Sequence, residues 1–303
     1  MRVLDDATVR TSLRFEELAD AMRMAFTAIS DGSASVPPRM AAYPPAGMLG
    51  AMPGYVPGLG LGAKLVTYFR DNKSKGVPGH QAVIVMFDPS DGHPVALLDA
   101  TYITATRTAV AAAVAAHALS TADVQTVAVI GTGVQARAHL EAFGHVFGNA
   151  SMTVAGRSAE RARSLAEATD TVAATDIESA VRTANVVCLC TDADDPVIDG
   201  SWLQSGCHVS SVGSGREVDT ATLAAGRVFV ESRANAVQPF PAGSRELEGR
   251  DPDGLTEVGE VLLGTRPGRQ TPDEITIYKS MGHAAEDIAA ASVVLRAVGA
   301  ETR

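Results

Sequence analysis

The chain has 303 residues, of which 46% are hydrophobic and 20% charged, so it can bury a large core and its length suits about two domains. Its formal net charge of -10 disfavours nucleic acid and anionic membranes as partners, because both are bound through cationic surfaces. The start of the chain has no apolar signal region, and no run of ~18 apolar residues occurs, so neither export nor a membrane span is expected.

The cysteines and histidines predict neither disulfides nor a metal site. Cys188, Cys190 and Cys207 all lie in apolar, strand-like runs, which is typical of reduced and packed thiols in a cytoplasmic protein. No CxxC pair is present, and His139 and His145 do not share a helical face. We therefore expect a cytoplasmic protein without a metal.

The first 100 residues predict a mainly antiparallel sheet with a flanking helix. Residues 14–30 carry apolar side chains at helical spacing. Residues 36–62 are rich in Pro and Gly, which favours short extended pieces separated by turns. A strand then opens at Lys64, and the runs 81–88 and 94–100 are typical of two strands in a hairpin.

Three cations in this region have apolar neighbours, which is unusual in an acidic protein. Arg39 lies in a short strand-like segment, Lys64 opens a buried strand, and Arg107 lies near the start of an alanine-rich helix at 101–119. A small carboxylate substrate would account for them, because Arg binds carboxylates through two hydrogen bonds and Lys neutralises them. The alternative is that they are structural residues paired with acids or reaching solvent.

The centre of the chain predicts a dinucleotide site. The apolar run 126–130 indicates a buried parallel strand, and a glycine turn and an apolar helical pattern follow at once. Such a turn binds phosphate: Gly131 permits the tight turn, Gly133 lets the backbone approach a pyrophosphate, and the small Ala136 allows close packing of helix and strand. The expected phosphate-binding residues are Gly131, Thr132, Gly133, Val134 and Gln135.

The end of the next strand, at 151–158, indicates which dinucleotide binds. Sites for NAD usually carry an acid there, which bonds the ribose 2′-hydroxyl, whereas sites for NADP offer cations to a 2′-phosphate. This chain has Arg157 and Ser158, with Arg161 one helical turn later. NADP(H) is therefore the preferred cofactor in this interpretation, and NAD(H) is the alternative.

The remainder alternates helices and strands, which predicts an α/β, doubly wound parallel sheet of the Rossmann type. Ligands bind at the carboxyl ends of such strands, so Thr191, Val212 and Gly213 are expected beside the nicotinamide. The last helix is expected to fold back onto the first domain. The predicted domains are therefore a substrate-binding domain at 1–120, joined by 283–303, and a Rossmann domain at 121–282.

Several segments together resemble the ornithine cyclodeaminase and μ-crystallin family, over about residues 36 to 292. They are PPRM, GLGLGAKLVTYFRDN, LLDATYITATRTAVAAAVAA, VAVIGTGVQARAHLEAF and YKSMGHAAEDIAAA. The resemblance implies a homodimer whose N-terminal domain binds substrate and forms the dimer. It also implies that Arg39 and Arg107 bind a substrate carboxylate, that Lys64 contacts it and can move a proton, and that Ser280 and Gly282 border the active site.

One departure from the family pattern bears on the reaction. True cyclodeaminases carry a segment like GADxPGKxEL whose Asp is the acid/base, whereas this chain has the shorter VGSGREVDTATL. Glu217 and Asp219 remain from that motif, and we expect them to cap the following helix.

The interpretation that follows is an NAD(P)H-dependent reductase of a small imino or keto acid, such as Δ1-pyrroline-2-carboxylate or a related cyclic ketimine. Lys64 would donate the proton, and His80 and His283 are lesser candidates for that role. The alternatives are a lyase that converts ornithine to proline and ammonia, and an NADPH-binding protein like μ-crystallin.

Overall fold

The structure, a computed structural model, describes residues 1–300, apart from the side chain of residue 73. The backbone divides into two compact units. Unit 1 comprises Met1–Arg107 together with the chain from His283 onward, and unit 2 comprises Thr108–Gly282. The division falls inside the alanine-rich helix, between Arg107 and Thr108, and not after that helix at residue 120.

The strands within residues 1–300 are β1 Arg2–Leu4, β2 Met40–Ala42, β3 Met48–Val56, β4 Gly60–Tyr68, β5 His80–Phe87, β6 Pro94–Asp99, β7 Thr126–Ile130, β8 Ser151–Ala155, β9 Val172–Ala173, β10 Val186–Leu189, β11 His208–Ser211, β12 Arg227–Val230, β13 Thr256–Glu257 and β14 Thr276–Lys279. The α-helices in the same range are α1 Asp6–Ser12, α2 Phe15–Ser30, α3 Thr101–Leu119, α4 Val134–Val146, α5 Ala159–Thr169, α6 Ile177–Arg182, α7 Thr220–Ala225, α8 Arg233–Ala236, α9 Val258–Leu262 and α10 Ala284–Ala297.

Unit 1 is built on a six-stranded sheet in the order β1-β6-β5-β4-β3-β2. Its strands are antiparallel except for β1, which pairs parallel with β6. Residues alternate between the two faces of each strand, and one face packs under α10, which in turn packs against α2. That buried face of β4 carries Gly62, Lys64 and Val66, so strand alternation directs the Lys64 amine into the core of unit 1.

Strand β3 is longer than the sequence predicts. Its Pro and Gly content favours short pieces with turns, but residues Met48–Val56 form one continuous strand opposite β4. Pro53 is tolerated because the N–H of Tyr55, two residues on, donates to Ser35 on the outer side of the strand and not to β4. The N–H that Pro53 lacks belongs to the same outer side, so the pairing with β4 loses no hydrogen bond.

Unit 2 is built on an eight-stranded parallel sheet in the order β13-β12-β14-β11-β10-β7-β8-β9. The part β9-β8-β7-β10-β11-β14 has the Rossmann strand order, so the predicted α/β fold is confirmed. The order reverses between β7 and β10, and a dinucleotide binds beyond the carboxyl ends of the strands at such a point. Among the described residues, no helix is long and apolar enough to cross a membrane.

Candidate active site

The cations Lys64 and Arg107 meet two acids of helix α10 in the interior of unit 1. The Nζ atom of Lys64 lies 2.8 Å from Oδ1 of Asp287, and Nε of Arg107 lies 3.0 Å from the same oxygen. Arg107 also pairs with Glu286 through Nη1. The side chains of all four residues are at most 5% exposed, so these are buried ion pairs and not surface ones.

The amine of Lys64 is tuned by these neighbours. Burial, together with the positive charges of Arg107 and Arg39, lowers the pKa of Lys64 from 10.5 to about 7, although Asp287 acts to raise it. An amine with such a pKa exists in both protonation states near neutral pH. Lys64 can therefore give or take a proton under conditions in which a surface lysine cannot.

Arg39 lies half-buried beside the same cluster, and a Cβ placed on Gly50 would be 3.7 Å from its Cδ. The two histidines proposed for a proton role lie differently. His80 is exposed and packs on the ring of Tyr68, with centroids 4.4 Å apart. His283 is buried and caps helix α10, where its Nδ1 accepts a hydrogen bond from the backbone of Ala285. His283 thus has a structural role at the start of α10.

The glycine turn of unit 2 joins β7 to α4 as the sequence predicts. Gly131 has a φ of +142°, and a Cβ there would lie 2.6 Å from the carbonyl oxygen of Cys190, so only glycine fits. Gly133 caps α4 with a φ of −101°, and a Cβ there would meet no described atom within 4 Å. The backbone at Gly133 is thus bare on its outer side, as a pyrophosphate cradle at a helix N-terminus requires. Thr132 and Gln135 are half-buried, whereas Val134 is exposed.

The residues at the end of β8 surround this turn. Arg157 is exposed, and the hydroxyl of Ser158 caps helix α5 by accepting from the N–H of Arg161. The guanidinium of Arg161 donates to the carbonyl oxygen of Thr132, 3.5 Å away. The two arginines therefore lie at the carboxyl end of β8, and Arg161 also supports the glycine turn directly.

The loops after β10 and β11 contradict one expectation. Asp219 caps α7 as predicted, by accepting from the N–H of Thr222, but Glu217 does not cap that helix. Its carboxylate is completely buried and instead accepts from the N–H groups of Thr191 and Gly213, at 2.7 and 2.8 Å. Both acids stand shortly before the same helix, and only the contacts of Glu217 with loops from distant parts of the chain distinguish them. Val212 is half-buried.

The segment after β14 is also held by a buried acid. Glu231 accepts from the hydroxyl of Ser280 at 2.5 Å and from the N–H of Gly282 at 3.2 Å. Tyr278 donates to the same oxygen at 3.2 Å. The Ser280 hydroxyl thus has a partner within unit 2. No motif in the sequence indicates this role of Glu231.

The sequence also matches a known protein family. A model of the ornithine cyclodeaminase/mu-crystallin family matches residues 1–301. The chain belongs to this family.

Members of the family with known activities lie close in sequence and structure. Ketimine reductase mu-crystallin from Mus musculus is 34% identical over 255 residues, which cover 82% of this chain and 80% of that protein. The Δ1-pyrroline-2-carboxylate reductase of Thermococcus litoralis, in complex with NADH and L-proline, has a TM-score of 0.92 at 29% identity, covering 98% of this chain and 97% of that one. An archaeal alanine dehydrogenase dimer with bound NAD has a TM-score of 0.89 at 28% identity, covering 98% and 96%.

Sequence reasoning missed the acids of this ornithine cyclodeaminase/mu-crystallin family member. Glu286 and Asp287 stand within the AEDIAAA stretch that carries the resemblance, where two acids open an otherwise apolar helix. Acids in a first helical turn are usually explained by the helix dipole. Nothing in the sequence therefore indicates that these two acids pair with residues far away in the chain. Among the described residues, no group of three His, Cys, Asp or Glu side chains could hold a metal ion.

Proposed function

We propose that the protein is an NAD(P)H-dependent reductase of a small imino or keto acid, such as Δ1-pyrroline-2-carboxylate or a related cyclic ketimine. The observation that carries this proposal is the buried cluster of Lys64, Arg107 and Asp287 in a chain whose other unit has the dinucleotide fold. The named activities of the relatives support the same reaction class.

The charge of the cluster suits a carboxylate. Arg39, Lys64 and Arg107 bring three cations to one buried cluster. These cations would bind a substrate carboxylate, and the arginines would fix its orientation. Orientation by a charged clamp is a large part of what an enzyme contributes to a reaction between two bound molecules.

The protonation chemistry falls to Lys64. With a pKa of about 7, its amine can donate a proton to the substrate as the C=N or C=O bond is reduced. Oδ2 of Asp287 is buried and accepts no hydrogen bond from a described residue, so it can accept from a substrate N–H. Asp287 would then hold both the proton donor and the nitrogen of the substrate.

A bound NAD(P)H would supply the hydride that is added to the α-carbon. Gly131, Thr132, Gly133, Val134 and Gln135 would hold its pyrophosphate. We propose that NADP(H) is preferred and that NAD(H) is also accepted, because Arg157, Ser158 and Arg161 replace the acid that binds a ribose 2′-hydroxyl. Thr191, Val212, Gly213, Ser280 and Gly282 remain the proposed residues on the nicotinamide side.

The loop after β11 disfavours the lyase. A Cβ on Gly215 would lie 1.8 Å from the carbonyl oxygen of Ala193, and a Cβ on Gly213 would lie 2.5 Å from Cδ of Glu217, so neither position admits a side chain. Ser214 and Arg216 are the exposed residues of this loop, and neither is a carboxylate. The acid/base that elimination of ammonia from ornithine needs is therefore not supplied by this loop.

The experiment is a screen of imino and keto acids with NADPH and with NADH, in which loss of the reduced nucleotide and the amino acid formed are both measured. The proposal expects net oxidation of the nucleotide with a cyclic imino acid. Release of ammonia and proline from ornithine without net oxidation would identify the lyase, and binding of NADPH without turnover would identify a binding protein. Arg157→Asp should move the preference toward NADH, and an unchanged preference would reject the 2′-phosphate argument.

We also propose a homodimer, formed through the outer face of the unit 1 sheet. Paired residues of adjacent strands put Leu49, Leu65 and Val83 on that face, where they are 41%, 40% and 38% exposed, and Val3 is 72% exposed. A contiguous apolar face of this kind is typical of a protein interface, and a related alanine dehydrogenase is a dimer. The buried free thiols of Cys188, Cys190 and Cys207 support the proposed location in the reducing cytoplasm.

A further inference from the structure

A buried carboxylate at the carboxyl ends of β10 and β11 has no part in the chemistry above. Both oxygens of Glu217 accept two hydrogen bonds: Oε1 from N and Oγ1 of Thr191, each at 2.7 Å, and Oε2 from Oγ of Ser211 and N of Gly213, each at 2.8 Å. Each carboxylate oxygen thus accepts from one backbone N–H group, which can only donate, and from one hydroxyl. Four hydrogen bonds shared between the two oxygens fit the ionised carboxylate.

The charge of Glu217 is not cancelled by its surroundings. Nζ of Lys279 donates to Glu246 at 2.5 Å, to the hydroxyl of Ser211 at 3.0 Å and to the carbonyl of Gly213 at 3.0 Å, which uses all three of its hydrogens. Lys279 thus pairs with Glu246 and reaches Glu217 only through the Ser211 hydroxyl. We call Ser211, Glu217, Glu246 and Lys279 the Glu217 cluster; it holds two carboxylates and one ammonium, and so carries a net charge of −1.

The place of the cluster in the sheet gives that charge a role. The strands β10 and β11 lie on the far side of the strand-order reversal from β8 and β9, and the nicotinamide half of a dinucleotide binds on that far side. The nicotinamide ring is positively charged when oxidised and neutral when reduced. A fixed negative charge near the ring would therefore stabilise the oxidised form more than the reduced form.

We propose that Glu217 is a positioning residue whose buried charge raises the affinity of the protein for the oxidised dinucleotide relative to its affinity for the reduced one. It thereby favours donation of the hydride by the bound cofactor. This inference rests on the proposed dinucleotide-dependent function.

The test is the ratio of the dissociation constants for NADP+ and NADPH, measured by calorimetric titration on the whole chain. Glu217→Gln removes the charge with little change in shape. We expect the affinity for NADP+ to fall by about ten-fold relative to that for NADPH. A purely structural role would weaken both nucleotides by the same factor and leave the ratio unchanged. Asp219→Asn is the matched control, because it removes an acid two residues away that only caps α7, and it should not alter the ratio.

A second variant guards against misfolding of the first. Glu246→Gln also brings the cluster to neutrality while keeping an oxygen for the N–H groups of Glu217 and Val218, so the ratio should change in the same direction. An unchanged ratio in the folded variants overturns the role of Glu217 but leaves the proposed function intact. Failure of the wild-type chain to bind either nucleotide overturns the proposed function, and this inference with it.

Discussion

Among single residues, Lys64 is the one whose proton the proposed reduction requires. Burial and Arg107 lower its pKa to about 7, so the amine loses its proton as the pH rises through neutrality. Because reduction uses the protonated amine, kcat/KM should be level at low pH and should fall as the pH rises through about 7. Lys64→Arg is the matched variant, because it keeps the charge but cannot lose its proton in this range. The kcat/KM of Lys64→Arg should be lower than that of the parent by about 100-fold or more, and it should not fall as the pH rises through about 7. The same pH profile in both proteins would contradict the assignment.

Asp287 should affect the pH at which kcat/KM falls. It raises the pKa of Lys64, so Asp287→Asn should lower that pKa further and move the fall in kcat/KM to lower pH. The control is Asp20→Asn, an exposed acid on α2 whose removal should leave the profile in place. A profile of Asp287→Asn that is unmoved, or moved to higher pH, would show that Asp287 does not act on the proton donor.

The residues of the site differ in how far the sequence reveals them. Lys64 and Arg107 could be identified because a cation among apolar neighbours is conspicuous on its own. Asp287 and Glu217 could not, because an acid near the start of a helix is common and its partner is known only after folding. The partner of Asp287 is 223 residues away in the chain.

At the scale of elements, the turn between β7 and α4 allows two glycines to be compared. Gly131→Ala should destabilise the fold by about 2 kcal/mol or more, because its φ is positive and the Cβ meets the backbone of Cys190. Gly133→Ala should leave the melting temperature unchanged, because its φ suits alanine and the Cβ meets no described atom.

Gly133→Ala should nevertheless weaken dinucleotide binding by about ten-fold or more, since the Cβ projects into the pyrophosphate cradle. Thermal melting and nucleotide titration of both variants check this pair of predictions. Normal nucleotide affinity in Gly133→Ala would show that the pyrophosphate binds elsewhere.

Most elements could be predicted because their periodicity is local. The alternation of strands and helices from β7 onward predicts the Rossmann part of unit 2, and two apolar runs predict the hairpin of β5 and β6. Strand β3 was obscured by Pro53, which ordinarily argues against a strand, and its tolerance depends on which neighbour its backbone faces. The short β1 has no periodicity of its own and exists because it pairs with β6.

At the scale of the whole molecule, the outer face of the unit 1 sheet predicts self-association. Leu65→Asp should convert the proposed dimer to a monomer, because a carboxylate in an apolar interface lacks a partner. Val172→Asp, at a 64% exposed position on β9 in unit 2, is the control and should remain dimeric. Light scattering coupled to gel filtration distinguishes the masses. A wild-type monomer, or a dimer of Leu65→Asp, would rule out this interface.

In the proposed reaction, hydride would pass from NADPH to the α-carbon of an imino acid. NADPH that carries deuterium at the transferred position of the nicotinamide can be incubated with the protein and Δ1-pyrroline-2-carboxylate, and the proline formed can be analysed by mass spectrometry. We expect one deuterium on the α-carbon for each nucleotide oxidised. Proline formed without deuterium, or nucleotide that stays reduced across the whole set of imino and keto acids, would contradict it.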